Sequence, residues 1–329
     1  MNPATHARWC VHPQLVPGEA LSWWLHRFAW ANAISNHTLL ARMMAGQPFW
    51  PRDVDRFASL DMLAVIADHL DVDPPILVGA TLHRYEGTLF PRLTLSGWLP
   101  WIMPVGVFHR THRHRGHAFC PRCLGEGRPL RISGRLAFEV ACTRHQCALL
   151  DACPYCDAPI TFSRMSLAQV GRYRCAVCGG NLAAASSRPL NALAKAFEHR
   201  CHRVLRQGRA PLAGEMIPAS TYFAGTRMLL RGLYARARLN GVTDSAVRRS
   251  LRWPRDQARP TTPFEHWRLT DRMRALGALE NYLHDWPDAF LRDAARSHAY
   301  RCRFDDGRSP TPAWVAVVLD QVAPSRNSL

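Results

Sequence analysis

Hydrophobic residues near the N-terminus repeat with the period of an α-helix. The positions i, i+3, i+4, i+7 and i+8 form one apolar face: Leu21, Trp24, Leu25, Phe28 and Ala29. Pro17-Gly18-Glu19 precedes this face, and Glu19 is expected in the first helical turn, where the helix dipole favours a negative charge. The pattern therefore predicts a helix of a hydrophobic core.

Between Arg52 and Leu82 the pattern predicts two short helices joined by a tight turn. Asp61 is expected to cap the first helix, and Pro74 takes the first position of the second, where its missing N–H costs nothing. Seven apolar residues are expected to face inward: Leu63, Ile66, Ala67, Leu70, Ile76, Leu77 and Ala80. We interpret the pair as a helix-turn-helix whose second helix could enter a DNA major groove. An ordinary helical hairpin is the alternative, because residues 76–80 offer few side chains that could read bases.

The C-terminal half also shows helical periodicity. One predicted helix contains Leu190, Leu193, Ala194, Phe197 and Leu205, and another contains Met228, Leu229 and Leu233. A longer stripe ends before Trp286-Pro287 and consists of Leu269, Met273, Leu276, Leu279 and Leu283. An arginine-rich stretch surrounds Trp253-Pro254, and its default interpretation is a solvated surface, with contact to a nucleic-acid backbone as the alternative.

Eight cysteine and histidine residues in the middle of the chain repeat with the spacing of metal ligands. They are Cys120, Cys123, Cys142, His145, Cys153, Cys156, Cys175 and Cys178. The spacing is C-x2-C-x18-C-x2-H followed by C-x2-C-x18-C-x2-C, so each member of the first set has a counterpart 33 residues later. Two thiolates separated by two residues converge on one ion at about 2.3 Å, and a second such turn closes a tetrahedron. The pattern predicts two structural Zn²⁺ sites with no open position for water or substrate.

Other interpretations of these residues stay open at this point. Two disulfides would need an oxidising compartment, and an iron–sulfur cluster is disfavoured by His145. Pairing within each 33-residue unit is favoured, with a cross-braced pairing as the alternative, and Cys147 is a candidate substitute ligand. Between the ligand pairs, residues 130–132 and 138–140 alternate like the short strands of a zinc ribbon.

The net charge of the chain indicates what class of partner it binds. The chain has 329 residues, a formal net charge of +17 and a sequence pI of about 10.2, a balance suited to nucleic acid or another polyanion. No apolar run approaches the ~18 residues of a membrane span, and the first nine residues lack a signal-peptide core. We therefore expect a cytoplasmic, nucleoid-associated protein with no membrane partner, in which thiols stay reduced and bind metal.

These patterns together predict a mainly α, multidomain protein. We expect a helical domain with the helix-turn-helix over residues 1–116, a tandem zinc-ribbon-like module over 117–182, and an arginine-rich helical domain over 183–329. The sequence lacks the phosphate loop G-x4-G-K-[ST], since its one lysine, Lys195, follows Ala194. Closed metal sites also disfavour a zinc hydrolase, so the chain is not expected to be an enzyme.

An ordered set of motifs resembles one known family. The helix start Pro-Gly-Glu-x-Leu-Ser-x-Trp-Leu occurs at residues 17–25, and Cys-Pro-x-Cys-Leu at 120–124 is followed by Cys142 and His145. A Leu-Leu pair at 149–150, a second Cys-Pro-x-Cys at 153–156 and Trp-Pro-x-x-Phe at 286–290 complete the set. Together these motifs resemble the TniQ family of bacterial transposition proteins, which has longer members of the TnsD type.

The resemblance implies a target-site selector. Such proteins choose where a mobile element inserts and recruit an AAA+ ATPase regulator, which licenses the transposase. Some members are similar to sequence-specific DNA readers, whereas others link an RNA-guided CRISPR effector complex to the transposition machinery, commonly as homodimers. Because this chain ends soon after Trp286-Pro287, the shorter adaptor type is favoured. An autonomous DNA-binding selector of attachment sites is the alternative.

Overall fold

The computed structural model of the chain describes residues 9–44, 53–108, 111–161, 173–234, 262–297, 299–305, 307 and 310–322. The chain divides into two compact units, the first comprising residues 1–86 and 92–188 and the second residues 87–91 and 189–329. Among the described residues of both units, helical residues far outnumber strand residues, so the mainly α class is confirmed. The division into three domains stays a prediction, and the arginine-rich stretch around Trp253 lies outside the described residues.

The first unit begins with a group of short helices. These are α1 (Leu21–Ala31), α2 (Asn36–Met43), α3 (Val54–Phe57), α4 (Leu60–Leu70) and α5 (Pro74–Gly79), followed by a 3₁₀ turn (Leu82–Tyr85). The five residues of the predicted apolar face of α1 are all at most 1% exposed and lie in one core with the inner faces of α2, α4 and α5. Burial of this apolar area is what holds such short helices in place, because helices of this length are marginal in isolation.

The entry to α1 differs from the prediction. Helix α1 begins at Leu21, so Glu19 lies before the first turn and does not act on its dipole. The Glu19 carboxylate is instead buried and accepts two hydrogen bonds from Arg27, each of 2.7 Å, and a third from the Val16 N–H. The expected dipole role was wrong, because Glu19 lies before the helix and forms an ion pair with Arg27 of α1 instead.

Helices α4 and α5 form the predicted pair, with two corrections. Ser59, not Asp61, caps α4, because its Oγ accepts the Met62 N–H at 3.2 Å from an extended backbone. Ile76 does not face inward but is 53% exposed, since the six residues of α5 bury Leu77 and leave Ile76 on the opposite side. Whether the pair acts as a DNA-binding helix-turn-helix stays a prediction.

The remainder of the first unit is mostly irregular. It contains the antiparallel pairs β1 (Val107–Phe108) with β2 (Thr111–His112) and β3 (Ala141–Cys142) with β4 (Cys147–Ala148), helix α6 (Pro121–Gly125), and 3₁₀ turns at Ile132–Arg135 and Leu182–Ala184. The strands predicted at residues 130–132 and 138–140 are wrong. Ile132 opens a 3₁₀ turn, and residues 136–139 form a turn closed by the Glu139 N–H to the Leu136 carbonyl at 3.0 Å.

The segment around Arg131 pairs instead with the entry to α1. The Ala20 N–H donates to the Leu130 carbonyl and the Ile132 N–H to the Gly18 carbonyl, both at 2.9 Å. Gly18 has a φ of +78°, and a Cβ there would lie 3.2 Å from the Arg131 guanidinium. Glycine is therefore favoured at this turn by its backbone conformation, and a side chain there would also crowd the Arg131 guanidinium.

A buried guanidinium joins the same segment to α3. Arg135 is 1% exposed and donates to both Asp53 oxygens, at 2.7 and 2.6 Å, to an Asp55 oxygen at 3.2 Å and to the Met103 carbonyl at 3.1 Å. Asp55 also accepts the N–H and O–H of Ser22 in α1, both at 2.8 Å. Burial raises the pKa of Asp55, and the Arg135 charge opposes that shift.

The second unit is built from longer helices. They are α7 (Ala192–Gln207), α8 (Ala219–Tyr234), α9 (Leu269–His284), α10 (Asp288–Arg296) and α11 (Ala313–Leu319), with 3₁₀ turns at Phe264–His266 and Arg301–Arg303 and an antiparallel hairpin of β5 (Arg209–Leu212) and β6 (Glu215–Pro218). The predicted stripe of α9 is buried, whereas Leu193 in α7 is 42% exposed and Leu190 precedes that helix. No helix among the described residues is long and apolar enough to cross a membrane.

The Trp-Pro-x-x-Phe motif lies at the start of α10. Trp286 contacts Phe290 and Trp314 with ring-centroid distances of 5.4 and 5.1 Å, and Phe290 contacts Phe304 at 5.0 Å. Phe290 is 1% exposed. The motif therefore supplies part of the aromatic core of this unit.

We expect Arg135→Ala to destabilise the first unit by about 3–5 kcal/mol, because it leaves Asp53 and Asp55 buried without their cation. The free energy of unfolding from denaturant titration, read together with hydrogen exchange in α1 and α3, measures this loss. Arg92→Ala is the matched control, since Arg92 is exposed and its removal should change stability by less than about 0.5 kcal/mol. Equal stabilities of the two variants would contradict the proposed contribution of Arg135 to the free energy of unfolding.

Candidate metal centres

The first unit holds two groups of side chains that could each bind a metal ion. The first group is Cys120, Cys123, Cys142 and His145, and the second is Cys153, Cys156, Cys175 and Cys178. Within each group the ligand atoms all lie within 4.8 Å of one another. The structure therefore brings together all eight residues that the spacing predicted and groups them sequentially, without cross-bracing.

Three of the four ligand turns share one backbone conformation. The residue after the second ligand has a left-handed φ, of +51° at Gln146, +61° at Asp157 and +72° at Gly179. Its N–H donates to the carbonyl of the first ligand, four residues back, at 2.8 to 2.9 Å. This closed turn points both ligand side chains to the same side, which explains why two intervening residues are needed.

The first turn is built differently. Cys120 is the N-cap residue of α6, and Pro121 occupies its first position, where proline fits the helix. The Leu124 N–H donates to the Cys120 carbonyl at 3.1 Å, so Cys123 lies one helical turn after Cys120. The Cys-Pro-x-Cys-Leu motif thus combines a ligand pair with a helix start, and its leucine is 2% exposed in the core.

The distances in the first group fit a tetrahedral ion. Bonds of about 2.3 Å to sulfur and about 2.1 Å to nitrogen place two sulfurs about 3.8 Å apart and a sulfur and a nitrogen about 3.6 Å apart. The His145 Nδ1 lies 3.4, 3.4 and 3.5 Å from the sulfurs of Cys120, Cys123 and Cys142. The Cys123 and Cys142 sulfurs are 3.6 Å apart.

The second group has the same dimensions. The Cys153 and Cys178 sulfurs are 3.6 Å apart, and those of Cys156 and Cys175 are 3.8 Å apart. These sulfur–sulfur distances leave room for one ion bonded to four thiolates and exceed the ~2.05 Å bond length of a disulfide. Both groups therefore suit a closed four-ligand site.

Glu126 orients His145 in the first group. The His145 Nε2 lies 2.8 Å from the Glu126 carboxylate, which also accepts the Nε–H groups of Arg128 and Arg144, each at 2.9 Å. These hydrogen bonds, that of His145 first, lower the pKa of Glu126 to about 2. The carboxylate fixes the tautomer in which Nδ1 is left to bind a metal. No spacing rule marks Glu126 in the sequence, and its role was missed.

Proton release from the thiols is coupled to metal binding. Burial raises the pKa of Cys123 to about 11 and that of Cys153 to about 12, whereas a hydrogen bond from the Gly180 N–H lowers the pKa of Cys178 to about 7. An ion that binds near neutral pH must displace the protons of Cys123 and Cys153. Metal affinity in both groups is therefore expected to fall as the pH falls.

Cys147 is not a member of the first group. Its sulfur lies 3.9 Å from that of Cys120, and its backbone pairs with Cys142 across β3 and β4. The group of four is complete without it.

Replacing one thiol of the second group should remove its metal and unfold it locally. We expect Cys153→Ser to lower the zinc content from about two ions per chain to about one, since a structural site needs all four ligands. Elemental analysis and hydrogen exchange over residues 173–185 measure the two effects. Cys10→Ser, at an exposed cysteine outside both groups, is the control. Unchanged zinc content and thermal stability in Cys153→Ser would refute the assignment of this group.

The contact of Glu126 with His145 predicts a weaker first site in Glu126→Gln. Removal of such a partner lowers metal affinity by about 10–100-fold. Competition with a chromogenic chelator, followed for both ions of the same chain, should show one ion released earlier and the other unchanged. The second group is the internal control, and parallel release of both ions in wild type and variant would exclude the orienting role.

Comparison with known proteins adds one match. Residues 10–149 match the family model described as TniQ. No curated protein matches the chain significantly. The matched residues include α1 to α6, the buried Arg135 cluster and the complete first metal-binding group. The family resemblance noted in the sequence is therefore confirmed for residues 10–149, which form a TniQ-type region of this chain.

Proposed function

We propose that the chain is a targeting adaptor of transposition. The observation that carries this proposal is the family match over residues 10–149, because the TniQ family implies a transposition-associated role in target selection. The adaptor links recognition of the target site, by an RNA-guided CRISPR effector complex or through DNA, to an AAA+ ATPase regulator and the transposase. A homodimer is the proposed working form.

The proposal includes two structural zinc ions. Cys120, Cys123, Cys142 and His145 would hold one ion, and Cys153, Cys156, Cys175 and Cys178 the other. Zinc bound by four protein ligands supplies folding free energy to the segments that carry those ligands. The cysteines of the first group also fix the ends of the segment that contains Arg135. The ions would thus make residues 120–178 a stable support for partner-binding surfaces.

We further propose that the chain is not an enzyme. Both groups use four protein ligands, whereas catalytic zinc keeps one position for water or substrate. The sequence also lacks the phosphate loop of an ATPase. Chemistry would then be performed by the proteins that the adaptor recruits.

Co-purification with the products of neighbouring transposition genes tests the adaptor role. We expect the affinity-tagged full chain to retain the AAA+ ATPase, and to retain a CRISPR effector complex when its guide RNA is present. Omission of the guide RNA is the control for the second interaction. Retention of neither the ATPase nor the effector complex would overturn the proposal.

The net charge of +17 favours a second candidate, an autonomous sequence-specific DNA reader. A mobility-shift assay distinguishes it from the adaptor. A specific reader prefers its attachment-site duplex over a scrambled duplex at every salt concentration. Equal affinities with a steep dependence on salt would reduce the interaction to non-specific contact with phosphates.

A further inference from the structure

The charge of the chain is unevenly distributed among its helices. Residues 59–79, which contain the predicted helix-turn-helix, carry four aspartates and neither arginine nor lysine. All four are exposed: Asp61, Asp68, Asp71 and Asp73. This surface repels phosphate, so α4 and α5 are poorly suited to lie against a nucleic acid backbone.

Helix α7 has the opposite character. Three cationic residues and two histidines fall within one stripe of about 100° on a helix of 3.6 residues per turn: Lys195, Arg203 and Arg206, with His199 and His202 between them. The one acidic residue of α7, Glu198, is fully buried. The stripe therefore presents positive charge over about 16 Å of helix.

Packing fixes the opposite side of α7. Phe197, Cys201 and Val204 are at most 1% exposed in the core of the second unit. Arg200 donates two hydrogen bonds to Glu280 of α9, at 3.0 and 2.6 Å. The orientation of α7 is thus set by buried contacts, and its basic stripe lies on the far side of the helix axis.

The two exposed arginines of the stripe, Arg203 and Arg206, differ from other arginines of the second unit. In the part of the chain that the structure describes, Arg227 and Arg200 form ion pairs with glutamates, whereas no ion pair joins Arg203 or Arg206 to an acid. Burial, and after it the positive charges of Lys195, Arg203 and Arg206, lower the pKa of His199. A helix-dipole role explains Arg206 in the last turn but not Arg203.

We propose that the basic stripe of α7 binds the phosphate backbone of duplex DNA without reading its sequence. Duplex DNA has the charge density that such a stripe complements, with one negative charge per about 1.7 Å of axis. Single-stranded nucleic acid is bound through stacking on exposed aromatic rings as well. The one phenylalanine of α7, Phe197, is buried, and the helix contains no tryptophan or tyrosine.

The proposal rests on the proposed targeting role and adds a DNA contact to it. The contact would hold the chain on the target duplex while other components supply specificity. Because phosphate contacts position a protein and carry no sequence information, this role is compatible with an adaptor.

Fluorescence anisotropy with a labelled random-sequence DNA duplex tests the proposal on the full chain. We expect Arg203→Ala/Arg206→Ala to weaken binding and to flatten the slope of log K against log salt by about 1.8, since each phosphate that an arginine neutralises adds about 0.9 to that slope. Arg203→Lys/Arg206→Lys should retain most of the affinity, because lysine also binds phosphate as a point charge. Circular dichroism checks that α7 remains folded.

The matched control is Arg292→Ala/Arg296→Ala, which removes the same charge from the same unit. Those arginines pair with Asp285 and Asp293, so the control should leave the salt slope unchanged. Equal weakening in both double variants, or none in either, would overturn the proposal. Weakening confined to a single-stranded RNA probe of the same length would also overturn it, in favour of RNA.

Co-purification separates this inference from the adaptor role. The Arg203→Ala/Arg206→Ala chain should still retain the AAA+ ATPase, because the substitutions leave the first unit unaltered. If the wild-type chain binds duplex through α7 but retains no transposition protein, the adaptor role fails while the DNA contact stands. If the wild-type chain retains the ATPase and the variant binds duplex DNA as the wild type does, the adaptor role stands and the DNA contact through α7 fails.

Discussion

A buried guanidinium placed between two carboxylates constrains the geometry of the first unit. Charges removed from water are tolerated only when partners surround them, and Arg135 has Asp53, Asp55 and the Met103 carbonyl as its acceptors. Asp55 is held in turn by Ser22 of α1. A shift of any one of these segments would leave a buried charge without its partner. The positions of α1, α3 and the segment before β3 therefore depend on one another.

This coupling gives the first metal-binding group a role beyond its own turns. The segment between Cys123 and Cys142 is fixed at its ends by the ligands and in its middle by Arg135 and by the backbone bonds of Leu130 and Ile132 to the entry of α1. Binding of an ion to the ligands would therefore also stabilise the docking of the N-terminal helices, because both depend on the same segment. The Pro-Gly-Glu-x-Leu-Ser motif is explained by this docking: Gly18 allows the close approach, Glu19 pairs with Arg27, and Ser22 binds Asp55.

Sequence patterns predicted those features that depend on local spacing. The metal-binding groups follow from the reach of two side chains across a short turn, and the buried faces of α1 and α9 follow from the helical period. Features that depend on contacts across the chain were missed. Arg135 and Asp53 are 82 residues apart, and Glu126 meets His145 from a position with no characteristic offset. The strand predicted at residues 130–132 failed for the same reason, since its backbone groups bond to the distant entry of α1, whereas residues 136–139 close a local turn.

The charge of the chain illustrates a related limit of composition. A net charge of +17 predicts a polyanionic partner but says nothing about which surface meets it. The structure separates an acidic pair, α4 and α5, from the cationic stripe of α7, although a helix-turn-helix pattern alone would assign DNA contact to the acidic pair. Hydrophobic periodicity reports which residues face the core and is indifferent to the charges on the opposite side. The exposed side of a helix must therefore be read by its charge, and by whether the fold already pairs that charge, before a nucleic acid is placed on it.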